Sequence, residues 1–529
     1  MSPRNFPLLV VTSSTNLANI GQKLMKKSAL CVLLLQALLI SSIGAANAAD
    51  APSPVAIKTA KYAVAKYRND IVNNLEKMVS FNTVANEKIA FHQNPQQLGF
   101  KQYLKEHAAR LGFDFADHGY VMVIGFGSGK ERVGVITHGD IQPVDPAKWA
   151  KSPFVLDKTS EPGRLLGRGT EDDKGPIASA LYAMKAIKDQ KLGLKKRIEL
   201  YVYMAEESDW GPLVEFLKIN TPPETNITLD AEYPVVIAEK GYGTLAVTVP
   251  LQTALPEIDV PYVNAFGGGF FGSQIPEDAS ATIMNATPEL EQAIRQRAAG
   301  QSKIRYQYQW LERSLKISAL GVSAHSSKPE DGVNAISMLA DALNVRPWAN
   351  TTAGGLVNFI NDLLGTSHYG EKFGTVAYSD NFMGPMSFVP TVIKEMPDGI
   401  QLRINIRRPQ GKTNAQLTSE INTALGEWQA KGLSLKDVVV DIGDPWVQKD
   451  APQVKTLLSV FSHFTGIKNA QPISIGGGTN SRLFPRAVSF GPTMPGLVYS
   501  GHSEHEFITL KQLLLNLEMY TAVLVELAK

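Results

Sequence analysis

The sequence predicts a two-domain α/β protein, a catalytic sheet domain carrying an inserted α+β lid, and three observations predict it. Short apolar runs alternate with stretches of helical periodicity, polar residues follow directly on the ends of those runs, and a long middle segment changes texture. Ala60 to Phe81 places Ala63, Tyr67, Ile71, Leu75 and Met78 on one helical face, and Phe100 to Leu111 and Pro176 to Ile187 read as two further helices. Val133 to Thr137 reads as a strand that ends at His138. Arg197 to Ala205 reads as a buried strand that ends at Glu206, and Pro234 to Ile237 as another strand. Ligands bind outside the carboxyl ends of such strands, so these polar residues can converge. From about Tyr242 to Pro445, Gly- and Pro-rich loops alternate with strands such as Thr244 to Val249 and Gln401 to Ile406. The histidine-bearing acidic segments resume only at His502. The expected division is a catalytic domain over 49–243 and 446–529 with a lid over 244–445. A chain of 529 residues exceeds one ordinary core, and 44% hydrophobic residues suffice for two.

The first 48 residues read as a targeting segment. Lys26 and Lys27 precede the apolar run Ala29 to Ile43, and Ala46-Asn47-Ala48 supplies the small-x-small pattern for cleavage before Ala49. The run is about 15 residues, short of the roughly 20 a membrane span needs. Met25, directly before the lysines, is an alternative start. The expected home is the periplasm or the medium. Cys31, the single cysteine, would leave with the segment, so the mature chain would hold neither a disulfide nor a thiol nucleophile. A net charge of +2 with interspersed signs leaves no footprint for nucleic acid, and no basic helix for a membrane surface. Neither partner is expected after cleavage.

Five segments carry chemistry. In Thr137-His138-Gly139-Asp140, the histidine is a candidate ligand and the aspartate can accept its unused ring N–H. Glu171-Asp172-Asp173, after a glycine turn, crowds three acids that need solvent or a cation; capping the following helix is the ordinary alternative. Glu206 and Glu207 point to different sides, so one can bind a metal while the other serves as general base. Asp230, Glu232 and the run Gly501-His502-Ser503-Glu504-His505-Glu506 are unremarkable alone. As a set, mixed imidazole and carboxylate donors suit zinc or manganese, and a shared carboxylate can bridge two ions about 3.5–4 Å apart. No serine sits in a nucleophile elbow. Gly125 to Lys130 has the wrong spacing for a phosphate loop, and no helix follows.

In order and spacing, these motifs resemble those of M20 family metallopeptidases, specifically bacterial dipeptidases of the dipeptidase V type, from about Ala60 to the C-terminus. The resemblance implies two divalent cations, zinc foremost with manganese or cobalt possible, held by His138, Asp172, Glu207, Asp230 and His502. Asp172 would bridge them, Asp140 would orient His138, Glu206 would be the general base, and Glu506 would support the last histidine's loop. His325, in Gly321-Val322-Ser323-Ala324-His325-Ser326-Ser327-Lys328-Pro329, would reach from the lid to the developing oxyanion. Arg407 and the loop holding Gly477, Gly478 and Thr479 would grip the substrate's C-terminal carboxylate; a surface ion pair is the plain alternative for Arg407. The implied activity is hydrolysis of small peptides by a metal-activated water. N-acyl-amino-acid hydrolysis or carboxypeptidase action on the same scaffold is an alternative, and a peptide-binding protein with an inactive site is another. The lid, about 200 residues, is large enough to supply His325 within one chain, so a monomer is expected. One departure stands out: Gly272-Ser273-Gln274-Ile275-Pro276 lacks the asparagine that relatives often carry before the hydrophobic-proline pair. His118 and His505 receive no role.

Overall fold

Uninterrupted apolar runs are the signature of strands buried on both faces, and those around His138 form the centre of a sheet. The computed structural model describes residues 51–529 except Glu87, 253–255 and Asn350. The expected signal peptide, its cleavage site and Cys31 therefore lie outside the described residues. Arg132–His138 pairs in parallel with Arg197–Tyr203 on one side and Thr225–Thr228 on the other, and Val488–Ser489 continues the parallel set. Val121–Phe126 and Asp114–Asp117 extend one edge antiparallel, and Val236–Glu239 with its neighbours closes the other. The helices Pro54–Val79, Lys174–Asp189 and Leu510–Ala528 pack together over one face, where Ile71, Leu181, Leu200 and Leu517 are fully buried. The opposite face is covered by Gly211–Ile219 through Leu213 and Phe216 against Tyr201 and Tyr203.

Helix starts lie earlier than the apolar spacing alone suggests. Pro54 opens the first helix because Ser53 accepts the Ala56 N–H at 3.3 Å, and Pro95 opens the second because Asn94 accepts the Gln96 N–H at 3.0 Å. The Lys174–Asp189 helix lacks such a side-chain cap, since Asp173 turns instead to the His138 N–H at 3.2 Å. The acidic run thus serves the strand ends rather than the helix.

The chain passes from Val236–Glu239 through Lys240 into Gly241–Pro250, the first strand of a second sheet. Its eight strands, among the described residues, pair antiparallel throughout, from Arg305–Leu311 at one edge to Lys436–Ile442 at the other. Helices Pro288–Ala298, Ala335–Ala342, Thr352–Phe359 and Asn414–Gln429 cover it around Leu339, Phe359, Ile404 and Trp428. Burial alternates along strands such as Ser314–Leu320, as a sheet covered on one face requires. Polar pairs join the two halves: Lys148 Nζ lies 2.8 Å from Glu277, and Lys328 Nζ lies 2.7 Å from Glu232. A two-stranded ribbon, Gln274–Ile275 with Ala324–His325, reaches over the strand ends of the first sheet. No helix among the described residues is long and apolar enough to cross a membrane.

Candidate metal centre

Three parallel strands end side by side, and each releases an acid or imidazole at its carboxyl end. His138 is the last residue of its strand, Glu206 and Glu207 follow Tyr203, and Asp230 follows Thr228. Two loops complete the group. The turn holding Asp172 is fastened by the buried Glu506, which accepts the N–H groups of Gly169, Glu171 and Asp172 and pairs with Arg168 Nη1 at 2.8 Å. The loop holding His502 is fastened by the buried Glu171, which accepts the Ser500 N–H at 2.7 Å and the Ser500 hydroxyl at 2.6 Å.

The donors fall into two triads with one shared member. His138, Asp172 and Asp230 offer ligand atoms within 4.8 Å of one another, and so do Asp172, Glu207 and His502. Asp172 Oδ1 lies 2.8 Å from His138 Nε2, whereas Oδ2 lies 3.2 Å from His502 Nε2. His138 Nδ1 faces the Asp140 main-chain oxygen at 3.1 Å, and its Nε2 makes no hydrogen bond despite the adjacent carboxylate. A ring nitrogen and a carboxylate oxygen this close, without hydrogen-bond geometry between them, are placed as two ligands of one ion would be. Such a donor set fits a divalent cation.

The expected orienting role of Asp140 is split. Its carbonyl makes the shorter contact with the His138 ring, while its carboxylate, 3.5 Å from Nδ1, accepts the N–H groups of Glu206 and Glu207 at 3.0 and 3.1 Å. Asp140 therefore aims the glutamate turn as well as the histidine.

Electrostatics mark the site as short of positive charge. Burial pushes Glu206 well above the usual carboxylate range, and Asp230 and Glu207 push it further against the pull of His138. Burial likewise raises Asp230 to about 7 against the same pull. Burial disfavours the charged form of His502, but Glu207 and Asp172 outweigh it and raise the ring to about 10. Asp172 is held well below its ordinary value because His138 and His502 outweigh its burial.

The remaining candidates close over this cluster. A cavity of about 70 Å³ is lined by Asp172, Glu206, Glu207, His325, Gly477 and Tyr499, among others. His325 Nδ1 accepts the Ser327 N–H at 3.1 Å, so the ring's other nitrogen carries the proton. Burial and the charges of His502 and Arg407 hold His325 well below the ordinary imidazole value, which keeps it neutral. Arg407 is buried, donates to Asn405 at 3.0 Å and Ser326 at 3.0 Å, and has no acidic partner among the described residues. The surface ion pair considered for it is absent. Thr479 donates to Glu239, which also receives Arg482 Nε at 2.8 Å, and Gly477 and Gly478 line the cavity beside it. A wider cleft of about 1070 Å³, lined by Lys148, Glu277, Arg305 and Lys316, contains none of the cluster residues.

Tyr499 escapes any reading of the residues. Its phenol donates to Asp172 Oδ2 at 2.6 Å, and its ring lies 5.8 Å from that of His325. A Cβ at Gly501 would overlap this phenol, so the glycine before His502 makes room for it. Asn480 also approaches Glu206, at 3.4 Å.

Residues 134–526 match Peptidase family M20/M25/M40. The Beta-Ala-Xaa dipeptidase of Lactobacillus delbrueckii subsp. lactis is 29% identical over 474 residues, 87% of this chain and 97% of its own. Among solved structures, human carnosine dipeptidase 1 superposes with a TM-score of 0.55 at 15% identity, over 89% of this chain and 99% of that one. The di-peptidase Dug1p of Saccharomyces cerevisiae gives 0.53 at 13% identity, over 88% and 98%. At such identities the likeness speaks for the fold, and the expected two-domain α/β architecture is borne out. Matched over most of its length, the chain belongs to Peptidase family M20/M25/M40.

Proposed function

We propose that this chain is an exported, dinuclear metal-dependent dipeptidase that works as a monomer. One observation carries the reading: Asp172 belongs to both donor triads, one oxygen toward each. His138 and Asp230 would hold one cation and Glu207 and His502 the other, with zinc expected and manganese or cobalt as alternatives. Two such cations would supply a water acidic enough to ionise near neutral pH and Lewis-acid polarisation of the peptide carbonyl.

The chain's own groups then divide the work. Glu206, raised by burial and by its acidic neighbours, takes the proton of the attacking water and returns it to the leaving amine. Neutral His325 donates its remaining ring N–H to the oxygen on which charge develops. Arg407, a buried cation awaiting an anion, binds the substrate's terminal carboxylate with the loop of Gly477, Gly478 and Thr479. A clamp at fixed distance from the reacting centre measures the substrate and favours two residues. The likeness to a Beta-Ala-Xaa dipeptidase supports the same substrate class. His325 lines the cavity of its own chain, which supports a monomer. Export rests on the Lys26 to Ala48 pattern.

The test is metal analysis with dipeptide hydrolysis by wild type and Glu206→Gln. The variant is expected to retain two equivalents of metal and lose turnover; an active variant overturns the role of Glu206. Comparing a dipeptide with an N-acetylated amino acid separates dipeptidase from acylase action.

A further inference from the structure

The two donor triads differ in what holds their histidines. His138 is braced from within the first sheet's own strand end, through the Asp140 carbonyl. His502 is braced from the other half of the molecule. Ser273 Oγ lies 3.2 Å from His502 Nδ1, and Gln274 Nε2 donates to the His502 carbonyl at 2.8 Å. His502 also sits at φ 63°, a left-handed conformation that few residues other than glycine adopt without support. Among the described residues, Ser273 is the hydrogen-bond partner of Nδ1. A hydroxyl there can accept the Nδ1 proton, so that Nε2, which faces Glu207 and Asp172, is the nitrogen that would give up its proton to a cation.

Ser273 and Gln274 do not stand apart from the lid histidine. Gln274 is the register partner of His325 in the two-stranded ribbon, and Ser326 N–H donates to the Ser273 carbonyl at 2.8 Å. The ribbon therefore carries His325 on one strand, while Gln274 on the other and Ser273 just before it supply both braces of His502.

We infer that Ser273 and Gln274 are positioning residues that make the second triad, Asp172, Glu207 and His502, complete only when the lid is docked. This inference rests on the two-cation reading of the site. The first triad binds its cation irrespective of the lid, whereas the second cation is gained and lost with lid position. Linkage is reciprocal, so a substrate that docks the lid also tightens the second cation.

The experiment is calorimetric titration of the chelator-stripped full chain with Mn²⁺, for wild type, Ser273→Ala and Ser273→Thr. Loss of an outer partner of a ligating histidine commonly costs about 10–100-fold in metal affinity. Ser273→Ala is expected to weaken the second equivalent by that factor and leave the first unchanged, and Ser273→Thr, which keeps the hydroxyl, to restore it. A merely structural role would weaken both equivalents alike or neither, and either result overturns the inference. Wild type taking up fewer than two equivalents overturns the two-cation reading itself, and the inference with it.

Discussion

Glu506 accepts the backbone N–H of Asp172 at 3.1 Å from a fully buried carboxylate. A residue more than three hundred positions downstream thus sets the turn on which the shared ligand stands. The same carboxylate balances the buried Arg168 guanidinium through Nη1.

Glu506→Gln keeps the shape and removes the charge. It turns an amide N–H toward backbone donors and leaves Arg168 buried without its anion. Breaking one side of a buried pair costs about 3–5 kcal/mol. Urea denaturation in chelator is expected to show a loss of that order, together with poorer metal uptake by the folded fraction. A loss under about 1 kcal/mol would mean that Arg168 finds relief elsewhere.

Arg407→Met removes a buried cation whose hydrogen-bond partners among the described residues are the neutral Asn405, Ser326 and Gly476 carbonyl. Hydrogen bonds to charged groups contribute about 1.5–3 kcal/mol, so kcat/KM for a dipeptide should fall roughly 10–150-fold. Hydrolysis of the corresponding dipeptide amide, which lacks the terminal anion, should change little. Equal losses on both substrates would remove Arg407 from carboxylate binding.

His107 supplies a pH dependence remote from the metal centre. Burial, with the Arg110 charge beside it, holds its pKa down to about 4, and its ring stacks on Tyr103 with centroids 5.6 Å apart. The unfolded chain, with an ordinary value near 6.5, binds a proton between those two pH values that the folded chain refuses. Stability therefore falls as pH drops from 6.5 toward 4 and the loss levels off below, reaching at most about 3 kcal/mol. In chelator, His107→Gln should lose less stability than wild type between pH 7 and pH 5, by about 2 kcal/mol. Parallel pH profiles would refute this.

The legible part of the site is the part written at strand ends. His138, Glu206 and Glu207 follow runs whose burial is evident from composition alone, and parallel pairing then brings them together. Asp172, Asp230 and His502 needed the family resemblance, since an acid in a turn looks alike whether it caps a helix or binds an ion. Ser273, Tyr499 and Asn480 were illegible for a different reason. Neutral side chains in loops carry no periodicity, and their partners lie 229, 327 and 274 positions away. The double duty of Asp140 was hidden too, because a sequence shows side chains while the shorter contact to His138 comes from a main-chain oxygen. Helix starts were missed where the capping residue, Ser53 or Asn94, lies outside the apolar pattern.

The cavity above the acids is small, about 70 Å³, and only half enclosed. Sites that enclose a small organic ligand run to about 300 Å³ or more. On the dipeptidase reading, a substrate would need more room than this, and the contacts placed to give way are those across the seam at Lys148–Glu277 and Lys328–Glu232. A strand of intact protein, continuing past both ends of such a chamber, would prop the seam apart. On that reading, selectivity against folded polypeptide would come from how far the seam can part.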